Sequence, residues 1–324
     1  MLADPRAARV VLAPHEIAMT GGSFVGFGDG GGPAVQAPLP ADAYHAPLAP
    51  RSLAWAAEYT ADAEVRRLQA AVTSRQHLSR GMTILDGVGL AVLRSDGVPE
   101  RAAVGVVYGD TSGHRHQDLL DVQLWLQGQP FLSDLGYPQS WASRVHWEGH
   151  WATHNSVWAT IPGLTTQLAG RGRVVRSLET EGLQLIEIEA ARWTQDAGHW
   201  QQTVVTFRRL LALLQTDGEG VVLVDLSRVT GGDEHFRLCR GLEGTLEIAG
   251  AGRRPRPGTL AGESTTRGQV DGVAHPDHGG LAWMDDVEEV GEADGWRGLW
   301  RSRHVADAQL ELHVLRAHGA RAFT

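Results

Sequence analysis

The side chains with the clearest potential for chemistry are histidines and carboxylates between residues 113 and 155. Gly113-His114-Arg115-His116-Gln117-Asp118 comes first, Asp134 follows a short alternating stretch, and Thr153-His154-Asn155 completes the group. Imidazole nitrogens and carboxylate oxygens are ligands of first-row metals. His114 and His116 are two residues apart, so on an extended strand they would point to the same face. This spacing predicts that the two side chains act on one ligand.

Taken alone, these histidines leave other interpretations open. A histidine in a strand is often a hydrogen-bonded structural residue, and for His116 this is the alternative to a role as a metal ligand. His146, His150 and His154 recur every four residues, as they would on one face of a helix. Gly149 weakens such a helix. The other interpretation of this stretch is a long loop that presents His146 and His150 near a cleft.

Composition limits the class of partner. The net charge of −9 and the pI of about 5.9 argue against a nucleic-acid surface. All 29 basic residues are arginine, which suits bidentate capture of carboxylates or sulfates. The single cysteine excludes an internal disulfide framework. No apolar run approaches the roughly 20 residues that cross a bilayer, so we expect no membrane partner.

Residues 1–20 carry charges and a proline where a signal peptide would need a continuous apolar stretch. If Met1 is the natural start, a cytoplasmic location follows. The localisation otherwise stays unknown.

The chain changes character near residue 82. Residues 1–81 are predicted to form an irregular and helical lead-in, with a Gly- and Pro-rich part from Gly21 to Pro50 and helical spacing of apolar residues from Ser52 to Thr73. Residues 82–324 show short strand signals in succession. These lie at 89–94, 102–108, 120–126, 172–178, 183–190, 202–214, 220–226, 245–248 and 309–315.

Strands without long intervening helices predict an all-β fold, a large antiparallel β-sandwich with a short helical N-terminal lead-in. No repeat of fixed period is evident, which argues against propellers and solenoids. The segment from Ala249 to Gly268, with its arginine cluster at 253–256, is predicted to be an exposed loop.

Several of these motifs together resemble one family. The string from Gly113 to Leu119, the segment Phe131-Leu132-Ser133-Asp134-Leu135-Gly136, Arg144, and Thr153 to Val157 are similar to the C-terminal β-domain of heparinase II/III-like polysaccharide lyases. The resemblance covers roughly residues 82 to 324. It includes Phe207-Arg208-Arg209-Leu210 and Val224-Asp225 further along the chain.

The resemblance implies a function and a set of site residues. Family members cleave uronic-acid-containing polysaccharides by β-elimination, so an acidic polysaccharide or oligosaccharide would be the substrate. Transferred by position, His114 would be the catalytic histidine of the β-domain, and a Zn²⁺ ion would be held by His116, Asp134 and His154. Arg144 and Asn155 would orient the substrate or the ligand loop. A homodimer is compatible with the resemblance.

The chain also departs from the family. Relatives usually combine an (α/α) toroid with the β-sandwich, and only a helical remnant precedes residue 82 here. The catalytic tyrosine and asparagine of the toroid therefore have no counterpart in this sequence. We expect a fragment of a longer gene product, which can be inactive in isolation.

Tryptophans accumulate in the same region as the predicted ligands. Trp125, Trp141, Trp147, Trp151 and Trp158 all fall between residues 125 and 158. Flat rings with one N–H donor suit sugar faces as well as protein cores. Trp147 and Trp151 are predicted to bind substrate, with packing as the alternative.

Two other classes of protein stay open. In a cupin-like metalloenzyme, His114 and His116 would be followed by Asp121 and Gly128 at spacings close to the first cupin motif, although the second motif is not present in order. A non-catalytic carbohydrate-binding β-sandwich would explain the missing toroid. An assay for unsaturated uronate products separates a lyase from both.

Overall fold

The fold is known from a computed structural model. It describes residues 4–19, 25–26, 50–60, 62–74, 80–97, 100–109, 116–136, 147–161, 169–196, 199–218, 220–241, 244–268, 280–291, 295–303, 309–315 and 320–324. Three helices precede the sheets: α1 (Pro5–Glu16), α2 (Pro50–Tyr59) and α3 (Ala63–Ser74). Asp4 caps α1 through the Arg6 amide, and Asp62 caps α3 through the Glu64 and Val65 amides.

The first sheet has five antiparallel strands in sequential order. They are β1 (Thr83–Leu85), β2 (Leu90–Arg94), β3 (Ala102–Val107), β4 (Val122–Leu126) and β5 (Gln129–Leu132). The second sheet has four longer strands in the order β10-β9-β8-β7. They are β7 (Ala169–Thr180), β8 (Leu183–Asp196), β9 (His199–Gln215) and β10 (Val221–Thr230).

The main hydrophobic core lies between these two sheets. Leu93, Val104 and Leu124 from the first sheet pack in one buried cluster with Ile188 and Phe207 from the second. Along β8, buried and half-buried residues alternate from Gln184 to Ala190, as expected for a sheet with one face toward a core. The architecture is therefore an antiparallel β-sandwich, as the sequence predicts.

The other face of the first sheet is covered by the lead-in. Met19 and Val25 pack in a second buried cluster with Leu90, Val92 and Trp125. Strands β2 and β3 are consequently buried along their whole length. A strand buried on both faces cannot show the polar and apolar alternation of a half-exposed one, because neither face meets water.

Smaller strands complete the fold. β6 (Val157–Ala159) pairs with β11 (His235–Arg237). β12 (Gly244–Ala249), β15 (Arg297–Ser302) and β16 (Gln309–His313) form one sheet, and β13 (Arg253–Pro255), β14 (Glu288–Val290) and β17 (Ala322–Phe323) form another.

The structure confirms most of the predicted elements and corrects others. α2 and α3 match the predicted helical region to within two residues at its ends, whereas α1 was not predicted. Pro14 lies inside α1. The predicted loop at 249–268 contains the short strand β13, where Arg253 and Arg254 pair with Glu288 and Glu289. The single cysteine, Cys239, is exposed.

Of the three helices that the structure describes, none has both the length and the apolar character needed to cross a bilayer.

The turn between β1 and β2 supplies a test of the sandwich. Gly89 has φ of +78°, and a Cβ there would lie 2.1 Å from the Cα of Gly109. We expect Gly89→Ala to lower the free energy of unfolding by about 2–5 kcal/mol, from the left-handed backbone and the steric overlap together. Chemical denaturation measures this change.

Gly87→Ala is the matched control. Gly87 lies in the same turn, is exposed, and a Cβ there meets no atom within 4 Å. Equal stability of the two variants would contradict the close approach of the turn to Gly109.

Candidate metal centre

Three irregular segments bring the predicted metal ligands together. His116 lies in the connection that leads into β4, Asp134 follows the end of β5, and His154 follows a single 3-10 turn at Trp151–Thr153. One ligand atom from each residue lies within 4.8 Å of the others, and all three residues are buried. The structure thus brings these three predicted ligands together, and their binding of a metal stays a prediction.

The side chains converge on one carboxylate oxygen. Asp134 Oδ2 lies 3.0 Å from His154 Nδ1 and 3.7 Å from His116 Nδ1. The two imidazole rings are 5.4 Å apart between centroids. The second oxygen of Asp134 accepts a hydrogen bond from the Gly136 amide at 2.5 Å, which fixes the carboxylate after the strand.

Part of this buried polar group has no hydrogen-bond partner. Asp134 Oδ2 and both ring nitrogens of His154 make no hydrogen bond to any of the residues that the structure describes. Buried polar atoms are usually paired, and exceptions need an explanation. Two imidazoles and one carboxylate at this separation fit the donor set of a divalent transition metal, because such an ion would pair these atoms.

The charges of the site perturb its titration. Burial would raise the pKa of Asp134, but His116 and His154 outweigh burial and hold that pKa well below its usual value. Burial would lower the pKa of His154, but the adjacent Asp134 carboxylate raises it, so the net shift is upward. Burial raises the pKa of Asp118 to about 6. The site is rich in buried carboxylate, which favours a cation.

Asp121 belongs to the frame around the trio. Its Oδ1 accepts from the Asn155 amide at 2.6 Å, and its Oδ2 accepts from Gln123 Nε2 at 3.1 Å. The side-chain amide of Gln123 in turn accepts from the backbone N–H of Gly26 and donates to its carbonyl, and Gly26 belongs to the lead-in. Asp121 is not one of the three side chains whose ligand atoms lie together, and both of its oxygens accept hydrogen bonds from the protein.

The other predicted site residues have different placements. His114 and Arg144 lie outside the described residues, so their roles stay predictions. Trp147 is half-buried beside the ligand loop. Asn155 is buried, and its Oδ1 accepts from the Arg240 amide at 2.5 Å. This contact holds Asn155 in place beside His154, which is compatible with its predicted role of orienting the loop that carries His154.

Trp151 is placed as a packing residue. It is 2% exposed and stacks on Trp158, with ring centroids 5.1 Å apart and an interplanar angle of 8°. The ring therefore presents no face to a glycan in this structure. Sequence spacing alone could not distinguish packing from sugar binding, because the stack depends on how the 3-10 turn with Trp151 packs against β6, which carries Trp158.

The helical interpretation of the histidines is wrong for the described part of that stretch. Residues 147–154 form turns and one 3-10 turn rather than an α-helix. His150 is the N-cap of that turn, and its Nδ1 accepts from the Ala152 amide at 3.2 Å. His146 lies outside the described residues.

Two arginines near the site were not predicted to belong to it. Arg209 donates to the carbonyl oxygens of Leu120 and Asn155, and Arg240 donates to those of Ser133 and Thr153. Arg209 is also held in a bidentate pair with Asp225 at 2.9 and 2.6 Å. No local sequence signal could have found these contacts, because each arginine is far along the chain from its partners.

Asp121 provides a test of the frame. In Asp121→Asn, the new amide has to face either the Asn155 amide or Gln123 Nε2, and both are donors. Gln123 cannot turn to accept without losing its two bonds to Gly26. We expect the free energy of unfolding to fall by about 1–3 kcal/mol, measured by chemical denaturation. The exposed Asp233→Asn is the control, and equal loss in both variants would rule out the buried network.

The part of the chain that contains the cluster matches a known protein family. The sequence matches the family described as "Heparinase II/III-like, C-terminal" over residues 79–314. No curated protein matches the chain. A solved heparinase III, the BT4657 gene product, superposes with a TM-score of 0.51 at 12% identity, over 78% of this chain and 40% of that one.

A second solved structure, the heparan sulfate lyase HepC of Pedobacter heparinus, gives a TM-score of 0.48 at 10% identity, over 98% of this chain and 45% of that one. The chain thus spans less than half the length of these structures, and at such identity the likeness concerns the fold alone. The family match covers most of the chain and includes all three clustered side chains. This protein belongs to the heparinase II/III-like family, and it contains the C-terminal domain of that family.

Proposed function

We propose that this chain acts in a polysaccharide lyase that cleaves uronic-acid-containing polysaccharides by β-elimination. The observation that carries the proposal is the buried cluster of His116, Asp134 and His154 within the region that matches the family. Two of the solved structures with this fold are named as a heparinase III and a heparan sulfate lyase. These names support a polysaccharide as the substrate class.

The cluster fits Zn²⁺ in its chemistry. Two imidazoles and one carboxylate are a set that zinc accepts in tetrahedral sites, and three protein ligands leave one position open. His116, Asp134 and His154 would hold the ion. When bound, zinc would supply positive charge for a neighbouring anion and would hold the three ligand segments together.

The described residues around the cluster support a cation. Asp118 and Asp121 are both buried, and the charges of both carboxylates favour the protonated form of His154. In the protein alone, the positive charge of Arg240 acts on Asp134 and Asp121. A divalent ion would add positive charge where Asp134 Oδ2 and the ring nitrogens of His154 lie without a hydrogen-bond partner among the described residues.

β-Elimination makes three demands on a protein. The carboxylate beside the abstracted proton has to be neutralised, a base has to take that proton, and a donor has to protonate the leaving oxygen. His114 lies two residues before His116 in the chain. We assign it to the carboxylate or to proton transfer. Arg144 and Trp147 would contact the substrate.

Metal content provides the first test. We expect the purified chain to contain about one equivalent of zinc, as a single three-residue site allows, and His116→Ala to contain much less. The melting temperature of the variant should fall as well, because metal binding to the folded state stabilises it. Elemental analysis and thermal denaturation measure the two effects.

His313→Ala is the matched control, since His313 is half exposed and pairs with Glu311 away from the cluster. It should retain the metal. A wild-type chain without metal, or retention of the metal by His116→Ala, would contradict the assignment of the ligands.

Lyase activity is tested directly with uronate polymers. The chain is incubated with heparan sulfate, heparin and alginate in separate reactions, and the ultraviolet absorbance of the unsaturated uronate product is followed. We expect product with at least one polymer, and a rate reduced roughly 100- to 10,000-fold in His114→Ala, as for loss of a general acid or base. His313→Ala should react like the wild type.

The alternative of a carbohydrate-binding module has its own outcome in this experiment. Binding to one of the polymers without any unsaturated product would refute the lyase for this chain and would favour that module. Equal rates for His114→Ala and the wild type would refute the assignment of His114 alone.

A further inference from the structure

The side chain of Arg240 joins the backbones of two ligand segments. Its Nε donates to the Thr153 carbonyl at 2.7 Å, and its Nη2 donates to the Ser133 carbonyl. Thr153 immediately precedes His154, and Ser133 immediately precedes Asp134. One guanidinium therefore bridges the peptide units that carry two of the three clustered side chains.

The main chain beside Arg240 adds to this junction. The Arg240 amide donates to Asn155 Oδ1 at 2.5 Å, and Gly241 forms an isolated bridge with Leu132 at the end of β5. The Leu238 amide donates to the Ser156 carbonyl at 3.0 Å. The segment 238–241 thus contacts both sides of the junction, and it holds Arg240 in register with the two carbonyl groups.

The chemistry of arginine suits this position. The guanidinium is planar and stays charged, and its donors diverge at fixed angles, so two carbonyl oxygens can be held at one separation. Burial lowers the pKa of Arg240, and the charges of Asp134 and Asp121 act to raise it. The cation is thus placed near the site carboxylates, while its hydrogen bonds go to the backbone.

We propose that Arg240 is a positioning residue that sets the separation of Asp134 and His154, and thereby the affinity of their site for a divalent metal. This inference rests on the metal site of the proposed function. Arg240 would act on the site through the carbonyl groups of Thr153 and Ser133, because its side-chain hydrogen bonds go to these groups.

Charge and positioning predict opposite effects when Arg240 is replaced. Removal of a nearby positive charge would strengthen the binding of a cation. Loss of the bridge would weaken binding, because Asp134 and His154 would have to be brought together when the metal binds. The direction of the change in metal affinity therefore distinguishes the two.

The experiment uses the full chain and two variants. Arg240→Met removes the charge and both side-chain hydrogen bonds, and Arg240→Lys keeps the charge without the planar fork. Zn²⁺ affinity is measured by competition with a chromophoric chelator, and Co²⁺ is added separately to record the visible spectrum of its coordination. Thermal denaturation of the metal-free proteins reports the stability of the fold.

Arg256→Met is the matched control. Arg256 Nη2 also donates to two backbone carbonyls, those of Thr259 at 2.7 Å and Leu260 at 3.4 Å, away from the cluster. We expect Arg240→Met to bind Zn²⁺ roughly 10- to 100-fold more weakly than the wild type, the range for residues that support metal ligands. Arg240→Lys should be intermediate with an altered Co²⁺ spectrum, and Arg256→Met should bind like the wild type.

The outcomes separate this inference from the proposed function. A wild type that binds neither metal would overturn both the metal site and the role of Arg240. A wild type that binds Zn²⁺, with Arg240→Met as tight or tighter, would overturn the role of Arg240 alone. A loss of affinity equal to that in Arg256→Met would do the same. If Arg240→Met does not fold, Arg240→Lys decides by its affinity and Co²⁺ spectrum.

Discussion

The burial of polar groups where irregular segments meet is the constraint on which this structure depends. His116, Asp134 and His154 are each at most 2% exposed, and each lies outside a regular strand. Loops that are buried in this way have backbone groups without ladder partners, and every such group costs free energy unless it is paired. Side chains from distant parts of the chain, such as Arg209 and Arg240, pair these backbone groups. The candidate site and the residues around it therefore form one hydrogen-bonded network.

Arginine side chains perform part of this pairing. Arg209 and Arg240 bind the carbonyl groups beside the cluster. Arg94 does the same at the junction of the lead-in and the first sheet, where it donates to the carbonyls of Glu16, Ala18 and Gly81. A chain without lysine has this option at every basic position, because arginine can donate to several carbonyls while its charge is delocalised. The arginine content, which the composition alone presents as a bias, thus has a structural use.

The lead-in is part of the same arrangement. Met19 and Val25 cover the outer face of the first sheet, and the backbone of Gly26 pairs with Gln123, which binds Asp121. A Cβ on Gly26 would lie 2.9 Å from the Cβ of Asp134. Residues that the sequence assigns to the irregular and helical lead-in therefore contact the residues around the cluster. The aromatic residues nearby divide by burial, with Trp151 stacked in a core and Trp147 half-buried beside it.

The sequence by itself determined the fold class, the helical region from Ser52 to Thr73 and most strands of the sandwich, and its motifs singled out His116, Asp134 and His154, which the fold brings together. These follow from short-range periodicity and from local motifs, which residues close in the chain contain. Only the tertiary structure decided that Trp151 is a packing residue, that Asp121 belongs to the frame, and that Arg240 bridges Ser133 and Thr153. The contacts of Asp121 with Asn155 and of Arg240 with Ser133 and Thr153 join residues 34 to 107 positions apart. No local pattern specifies them, because they depend on how the loops between strands are brought together.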